Sequence, residues 1–192
     1  MSALDGGRHP SLDERDDPAI QIVEYDKRWP ALAETELSSI GAALGAVAVR
    51  SAHVGSTAVP GLGAKPIIDL QVSVTAIDDR SAYVPALENL GYLFAPTPDS
   101  PDFHFFGKPG RRPRRLHLHV CAAGGSDEWR HLAVRDYLRG NASEAAQYEA
   151  LKKDLVARHP GDRLAYIAGK RPYMEALEAR ALRWSGGPSW DR

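Results

Sequence analysis

Two short stretches near the middle of this 192-residue sequence contain side chains suited to binding a phosphorylated ligand. Gly55 and Ser56, followed by Thr57, end a β-compatible run and enter a loop rich in Gly and Pro. Such a turn presents backbone N–H groups and a hydroxyl to a phosphate, as helix N-termini do. Asp69 follows on the next predicted strand, where one carboxylate can hold Mg²⁺ together with phosphates and water. The alternative is an ordinary Gly-Ser turn beside a strand with one outward aspartate.

A second candidate is the run Leu116–Val120, in which apolar residues alternate with His117 and His119. On a strand, alternate residues share a face, so the two imidazoles point the same way and the Cα atoms of these histidines lie about 7 Å apart. Paired histidines are a common half-site for Zn²⁺ or another borderline metal, and Asp69 can complete it from a neighbouring strand. The alternative is a pair of hydrogen-bonded histidines that serve only as polar strand residues.

Two predicted helices in the C-terminal half repeat one spacing. Tyr148 and Lys152 are four residues apart, as are Tyr166 and Lys170, so each pair shares a helix face. With Arg135 from the preceding helix, these side chains can line a groove for an anionic ligand. A solvated charged helix face is the usual alternative.

Hydrophobic periodicity places these residues in a mixed architecture. It predicts helices over 29–44, 79–90, 127–139, 142–158 and 163–184, with Pro172 restarting the last one, and strands over 20–24, 46–54, 67–74, 103–106 and 116–121. The chain is thus expected to comprise a leader over 1–18, a single domain over 19–185 and a tail over 186–192. Strands followed by a helical half predict an α+β fold, or a small α/β sheet with a helical appendage.

Composition excludes several classes of function. The 24 Lys and Arg residues balance 25 Asp and Glu, for a net charge of −1. Bulk charge therefore favours neither nucleic acid nor an anionic membrane as a partner. The basic loop 108–115 contains no aromatic residue on which a base could stack. No apolar signal region opens the sequence, and Cys121 is its single cysteine, so we expect a cytoplasmic location.

Five stretches together resemble the GrpB family, which belongs to the nucleotidyltransferase-fold superfamily. They are IVEYDKRWP from Ile22, HVGSTAVPGLGAKPIIDLQV from His53, LHLHV from Leu116, EWRHLAVRDYLR from Glu128 and YEALKKDL from Tyr148. The resemblance covers about residues 20–184. It implies a small mixed β-sheet of nucleotidyltransferase type with flanking helices and a helical C-terminal half. Related domains also occur fused to dephospho-coenzyme A kinases.

The superfamily resemblance implies a role for several of these residues. Gly55 and Ser56 match the pair that holds a nucleoside triphosphate, and Asp69 matches the first metal-binding carboxylate. Gln71 stands where the second carboxylate would be, and the third acid is replaced by His117 or His119. Because a two-metal site needs several anionic oxygens, this departure leaves three possibilities. One metal suffices, a softer metal binds Asp69 with the histidines, or the fold serves only for binding.

The leading hypothesis is an enzyme that binds a nucleotide and one divalent metal and catalyses nucleotidyl transfer or adenylate-type ligation. The metal is expected to be Mg²⁺ or Mn²⁺, with Zn²⁺ as the alternative, and its ligands and the catalytic residues are Asp69, His117 and His119. The residues expected to bind the phosphates and base are Gly55, Ser56, Thr57, Lys65, Arg135, Tyr148, Lys152, Tyr166 and Lys170. The alternatives are a non-catalytic nucleotide- or partner-binding module and a histidine–metal enzyme unrelated to nucleotides.

Overall fold

Five strands and five α-helices make up the fold in a computed structural model that describes residues 20–95, 103–110 and 113–186. In chain order they are α1 (Trp29–Leu44), β1 (Ala48–Val54), β2 (Ile68–Val74), α2 (Val84–Asn89), β3 (Leu93–Ala95), β4 (Phe103–Lys108), β5 (Leu116–Ala122), α3 (Ser126–Gly140), α4 (Ala142–Arg158) and α5 (Arg163–Ser185). The expected leader over 1–18 and the tail beyond residue 186 lie outside the described residues.

The strands form one mixed sheet in the order β1-β2-β5-β4-β3. The pair β2–β5 is parallel, whereas the other neighbouring strands are antiparallel. The parallel register places Asp69 opposite His117 and Gln71 opposite His119. The predicted fold class, a small mixed sheet with flanking helices and a helical C-terminal half, is confirmed.

The interior strand β2, second in the sheet order, is covered on both faces. Its residues Ile68, Leu70, Val72 and Val74 lie in the main hydrophobic core, which α1 and α2 complete. On the opposite face α3 packs over β5 and β1, and the β2 residues Gln71 and Ser73 both contact Glu128 of α3. Asp69 keeps a partly exposed side chain because it lies near the start of β2, where α3 does not cover the strand.

The helices α1 and α4 have the predicted bounds. Other predictions need correction. The strand expected over 20–24 is a single bridge from Val23 to Ala64, and the helix expected over 79–90 is shortened to α2 by a separate 3-10 turn at Arg80–Ala82. β3 was not predicted. α5 continues through Pro172 instead of restarting there, because packing against α3 and α4 stabilises the helix across the missing hydrogen bond.

Nothing in the described part of the chain is a helix long and apolar enough to cross a membrane.

Candidate functional site

A cavity of about 310 Å³ lies between the β1–β2 connection, the strands β2 and β5, and the C-terminal helices. All but one of the residues expected to form the site line it. They are Gly55, Ser56, Thr57, Lys65, Asp69, His117, His119, Tyr148, Lys152, Tyr166 and Lys170. Residues more than a hundred positions apart in the sequence are therefore brought to one concave surface.

The turn after β1 sits directly against Asp69. Gly55 has a φ of 70°, a conformation that L side chains rarely adopt, and an added Cβ would lie 2.5 Å from Oδ2 of Asp69. A 3-10 turn follows at Ser56–Ala58, and the hydroxyl of Thr57 lies 2.9 Å from Nε2 of His53. Only glycine lets the backbone approach the carboxylate this closely.

Asp69 is paired with both histidines of β5. Its Oδ1 lies 3.0 Å from Nδ1 of His117 and 3.9 Å from Nε2 of His119. Burial opposes ionisation of Asp69, but the hydrogen bond from His117 and the nearby ring of His119 outweigh it and hold the pKa of the carboxyl below its usual range. At His117 burial lowers the pKa despite the neighbouring carboxylate. We therefore assign an ionised Asp69 that accepts a hydrogen bond from the Nδ1–H group of a neutral His117.

The opposite wall of the cavity carries Lys152, whose side chain is almost completely buried. Its Nζ donates hydrogen bonds to Oγ of Ser56, at 3.2 Å, and to the carbonyl oxygen of Gly63. Burial and the nearby charge of Lys170 lower the pKa of Lys152 to about 7. Lys65 adds further repulsion. Three lysine side chains are thus concentrated beside the Gly-Ser turn, and their mutual repulsion favours the neutral form of Lys152.

The two tyrosines pack beside these lysines. Nζ of Lys152 lies 4.5 Å from the ring centre of Tyr148, and Nζ of Lys65 lies 5.5 Å from that of Tyr166. Both distances are typical of cation–π contacts. Both tyrosines are buried, and the ring of Tyr148 stacks on Tyr173 of α5. The two tyrosines therefore contact lysines of the cavity, and Tyr148 also packs α4 against α5.

Arg135 is the expected site residue that does not line the cavity. Its guanidinium forms an ion pair with the adjacent Asp136, at 2.7 Å, and donates to the backbone carbonyl of His53 at 3.3 Å. The position of Arg135 on α3 directs it to the end of β1, away from the lysine wall formed by Lys65, Lys152 and Lys170. Its contacts are those of a residue that fixes α3 on β1.

His131 of α3 lines the cavity but was not predicted as a site residue. Its ring lies 4.7 Å from the ring of His119, and its Nδ1 lies 2.7 Å from Oε1 of Gln71. The histidine was visible in the EWRHLAVRDYLR stretch. Only the packing of α3 on β2 and β5, which has no local sequence signal, brings it to Asp69's neighbourhood.

Asp69 is the residue of the cavity lining that could hold a hard cation such as Mg²⁺. Within the described ranges, no group of three or more His, Cys, Asp and Glu side chains is arranged to hold a metal ion. Nδ1 of His117 is occupied by Asp69, and the Gln71 amide is used by α3. Among the described residues that line the cavity, Asp69 is the single carboxylate, and Mg²⁺ can be held by one carboxylate together with substrate phosphates.

Comparison with known proteins establishes the family. The profile of the family described as GrpB protein matches residues 19–180. The chain belongs to the GrpB family. Over 164 residues it is 41% identical to a UPF0157 protein of Halalkalibacterium halodurans, covering 85% of this chain and 83% of that protein. The crystal structure of conserved protein GrpB from Enterococcus faecalis has a TM-score of 0.79 and 31% identity, covering 87% of this chain and 100% of that one.

Some GrpB-family relatives are longer. The chain is 32% identical to UPF0157 protein YqkA of Bacillus subtilis and covers 49% of its length. It is 30% identical to a dephospho-CoA kinase of Mycolicibacterium paratuberculosis and covers 48% of that protein. These matches cover 88% and 89% of this chain. The chain thus spans about half the length of these two relatives.

Proposed function

We propose that this GrpB-family protein binds a nucleoside triphosphate in the cavity and transfers its nucleotidyl group to an acceptor. In an adenylate-type ligation, the same attack on the α-phosphate would activate the acceptor as an adenylate. The observation that carries the proposal is the concentration of Lys65, Lys152 and Lys170 beside the Gly55–Ser56 turn. Among the described residues that line the cavity, Asp69 supplies the one carboxylate, so positive charge exceeds negative charge on the lysine wall. The negative charge of a triphosphate is complementary to this wall.

Each group has a defined part in this proposal. The turn at Gly55 and Ser56 would hold phosphate oxygens through N–H groups and the serine hydroxyl. Lys152 would remain protonated once an anion lies beside it and would neutralise charge that develops during transfer. Asp69 would hold one Mg²⁺ together with the substrate's own phosphates. When bound, such an ion supplies Lewis-acid polarisation of a phosphoryl oxygen.

Thermal melting tests the binding step. The wild-type protein is melted with ATP, CTP, GTP and UTP, each alone and with Mg²⁺, Mn²⁺ or Zn²⁺. A nucleotide present at 100 times its Kd stabilises the fold by about 2.7 kcal/mol. We expect a shift with at least one nucleotide that increases with Mg²⁺ or Mn²⁺. The absence of a shift with all four nucleotides would contradict the proposal.

Two lysine variants locate the site. Lys152→Met keeps the buried aliphatic stem but removes a charge-assisted phosphate contact worth roughly 1.5–3 kcal/mol, so we expect at least a tenfold loss of nucleotide affinity. Lys153→Met is the matched control, because Lys153 is exposed and pairs with Glu149 on the outside of α4. Equal affinities in the two variants would remove the lysine wall from the site.

A non-catalytic binding module is the second candidate, and Gln71 favours it. The Gln71 amide donates to the backbone carbonyl of Glu128 and contacts His131, so it does not supply a second anionic ligand. A module of this kind would show nucleotide shifts that do not depend on metal and no release of pyrophosphate. Measuring both in the same samples distinguishes it from the enzyme.

A further inference from the structure

Lys152 is a buried lysine that has no carboxylate partner among the described residues. It is 3% exposed, and its Nζ donates to the hydroxyl of Ser56 and to the carbonyl of Gly63. The acid one turn earlier on α4 is used elsewhere, because Glu149 pairs with Lys153 at 2.6 Å and accepts the N–H of Gly63 at 2.6 Å. Uncharged oxygens therefore contact a nitrogen that burial has removed from bulk water.

The charges around Lys152 disfavour its ammonium form. Lys65 from the β1–β2 connection and Lys170 from α5 line the same cavity. Burial and repulsion by Lys170, with smaller contributions from Lys65 and Lys153, lower the pKa of Lys152, and the attraction of Glu149 offsets only part of this effect. A desolvated amine beside other cations is a nucleophile at neutral pH, because its lone pair is not protonated. Until an anion binds beside it, Lys152 thus presents a reactive amine to the cavity.

The cavity beside Nζ has room for a small electrophile. Its volume is about 310 Å³, whereas a single water molecule needs only about 10–15 Å³ by the same measure. Carbon dioxide is small enough to enter this space. It is also uncharged, so it does not bring the negative charge that would hold Lys152 in its protonated form. It is therefore an electrophile that can meet the amine in its reactive state.

We infer that Lys152 is a carbamylation site, at which the amine combines reversibly with carbon dioxide. The Nζ lone pair would form the new N–C bond, one C–O π bond would open, and its electron pair would become the negative charge of the carbamate. One proton of the amine would leave to solvent for each molecule of carbon dioxide that is bound. The inference does not depend on the proposed function, since it requires neither a nucleotide nor a metal.

The lysine wall suits a carbamate better than a third ammonium group. Carbamylation would replace one of three positive charges with a negative charge, so Lys65 and Lys170 would flank an anion. The hydroxyl of Ser56, which accepts a hydrogen bond from Nζ, can rotate to donate one to a carbamate oxygen. The carbamate nitrogen retains one hydrogen for the carbonyl of Gly63. Hydrogen bonds to an ionised acceptor are about twice as strong as those between neutral groups, which favours the modified state.

Chemical trapping locates the modification. Wild-type protein is equilibrated with ¹³C-labelled bicarbonate at pH 7.5, treated with a trialkyloxonium salt that converts carbamates into stable esters, and digested for mass spectrometry. Lys153 is the internal control, because it is adjacent in sequence but exposed. Since an exposed lysine with a pKa near 10.4 is unprotonated in only about one molecule in a thousand at this pH, we expect at least about tenfold more ester on Lys152 than on Lys153.

Carbon NMR of the undigested protein provides a second measurement. Wild type, Lys152→Met and Lys153→Met are compared in the same labelled bicarbonate buffer. We expect a carbamate carbon signal that is present in wild type and Lys153→Met and absent from Lys152→Met. The α-amino group of the chain also forms a carbamate, and its separate signal in all three proteins serves as the reference.

Two results would overturn the inference. One is equal labelling of Lys152 and Lys153 in the wild-type protein, which would assign the reaction to ordinary surface amines. The other is a set of carbamate signals in Lys152→Met identical to that of wild type. If Lys152→Met does not fold, the comparison of the two lysines within the wild-type protein decides the question by itself.

Discussion

Two carboxylates of this protein, one on the strand β2 and one packed against it, have opposite surroundings. Glu128 has no exposed surface, and both its oxygens are occupied by the guanidinium of Arg50, at 3.0 Å, with Ser73 and the N–H of Gly124 as further donors. The side chain of Asp69 is 29% exposed, and His117 donates a hydrogen bond to one of its two oxygens. The first carboxylate is saturated from within the fold, whereas the second faces a cavity.

This difference shows how the same functional group serves structure or ligand binding. A buried carboxylate with every acceptor position filled contributes to stability and has no capacity for a ligand. A carboxylate that is partly exposed, ionised and beside a glycine turn can take another cation. The residue type alone does not distinguish the two cases, so the predictions test them separately.

The largest effect on stability is expected from Glu128→Ala. The substitution leaves the buried Ser73 hydroxyl without its acceptor and opens a cavity beneath α3, whereas Arg50 is 37% exposed and stays solvated, so the cost is about 2–4 kcal/mol. The free energy of unfolding, measured by urea denaturation, should fall by this amount. Glu175→Ala is the matched control on an exposed part of α5, where a change within about 0.5 kcal/mol is expected. A loss below about 1 kcal/mol for Glu128→Ala would show that the network is not structural.

Gly55→Ala is expected to affect both stability and binding. The positive φ of Gly55 costs a non-glycine residue about 1–3 kcal/mol, and the new methyl group would press on Oδ2 of Asp69. Gly61→Ala provides the control, because Gly61 also has a positive φ but no neighbouring atom within 4 Å of the added Cβ. Both variants should lose stability in urea, and only Gly55→Ala should lose Mg²⁺-dependent nucleotide shifts. If both variants bound nucleotide equally well, the close approach of the turn to Asp69 would not be required for binding.

The buried Lys152 predicts an unusual dependence of stability on pH. Its pKa is about 7 in the folded protein, while an unfolded lysine titrates near 10.4. Between these values the unfolded chain binds the additional proton, so the free energy of unfolding should rise with pH, by up to about 1.4 kcal/mol per unit. Urea unfolding at pH 7, 8 and 9 measures this slope, and Lys152→Met should reduce it. An identical slope in the variant would assign the effect to other groups.

The smallest stability change is expected from Asp69→Asn. The substitution preserves shape and an acceptor for His117, so we expect the free energy of unfolding to stay within about 1 kcal/mol of wild type. Loss of the carboxylate should nevertheless abolish the Mg²⁺-dependent part of the nucleotide shift. A large loss of stability with unchanged binding would make Asp69 a structural residue like Glu128.

Features that depend on local spacing were predictable. The 3.6-residue period gave the bounds of α1 and α4, and the two-residue period placed Asp69, His117 and His119 on outward faces. Each of these predictions needs only the backbone geometry of one element. That Asp69 lies on a strand next to the two histidines was a hypothesis from the residues, and the parallel pairing of β2 with β5 confirms it.

The sequence by itself determined the elements, the family and most of the residues around the cavity, because periodicity and short motifs are encoded by neighbours along the chain. The tertiary structure alone decided which polar residues are saturated and which remain available. Arg135 fixes α3 on β1, while His131 enters the cavity wall through its contact with Gln71. Those outcomes depend on how α3 is positioned across the sheet, and packing between elements distant in sequence sets that position.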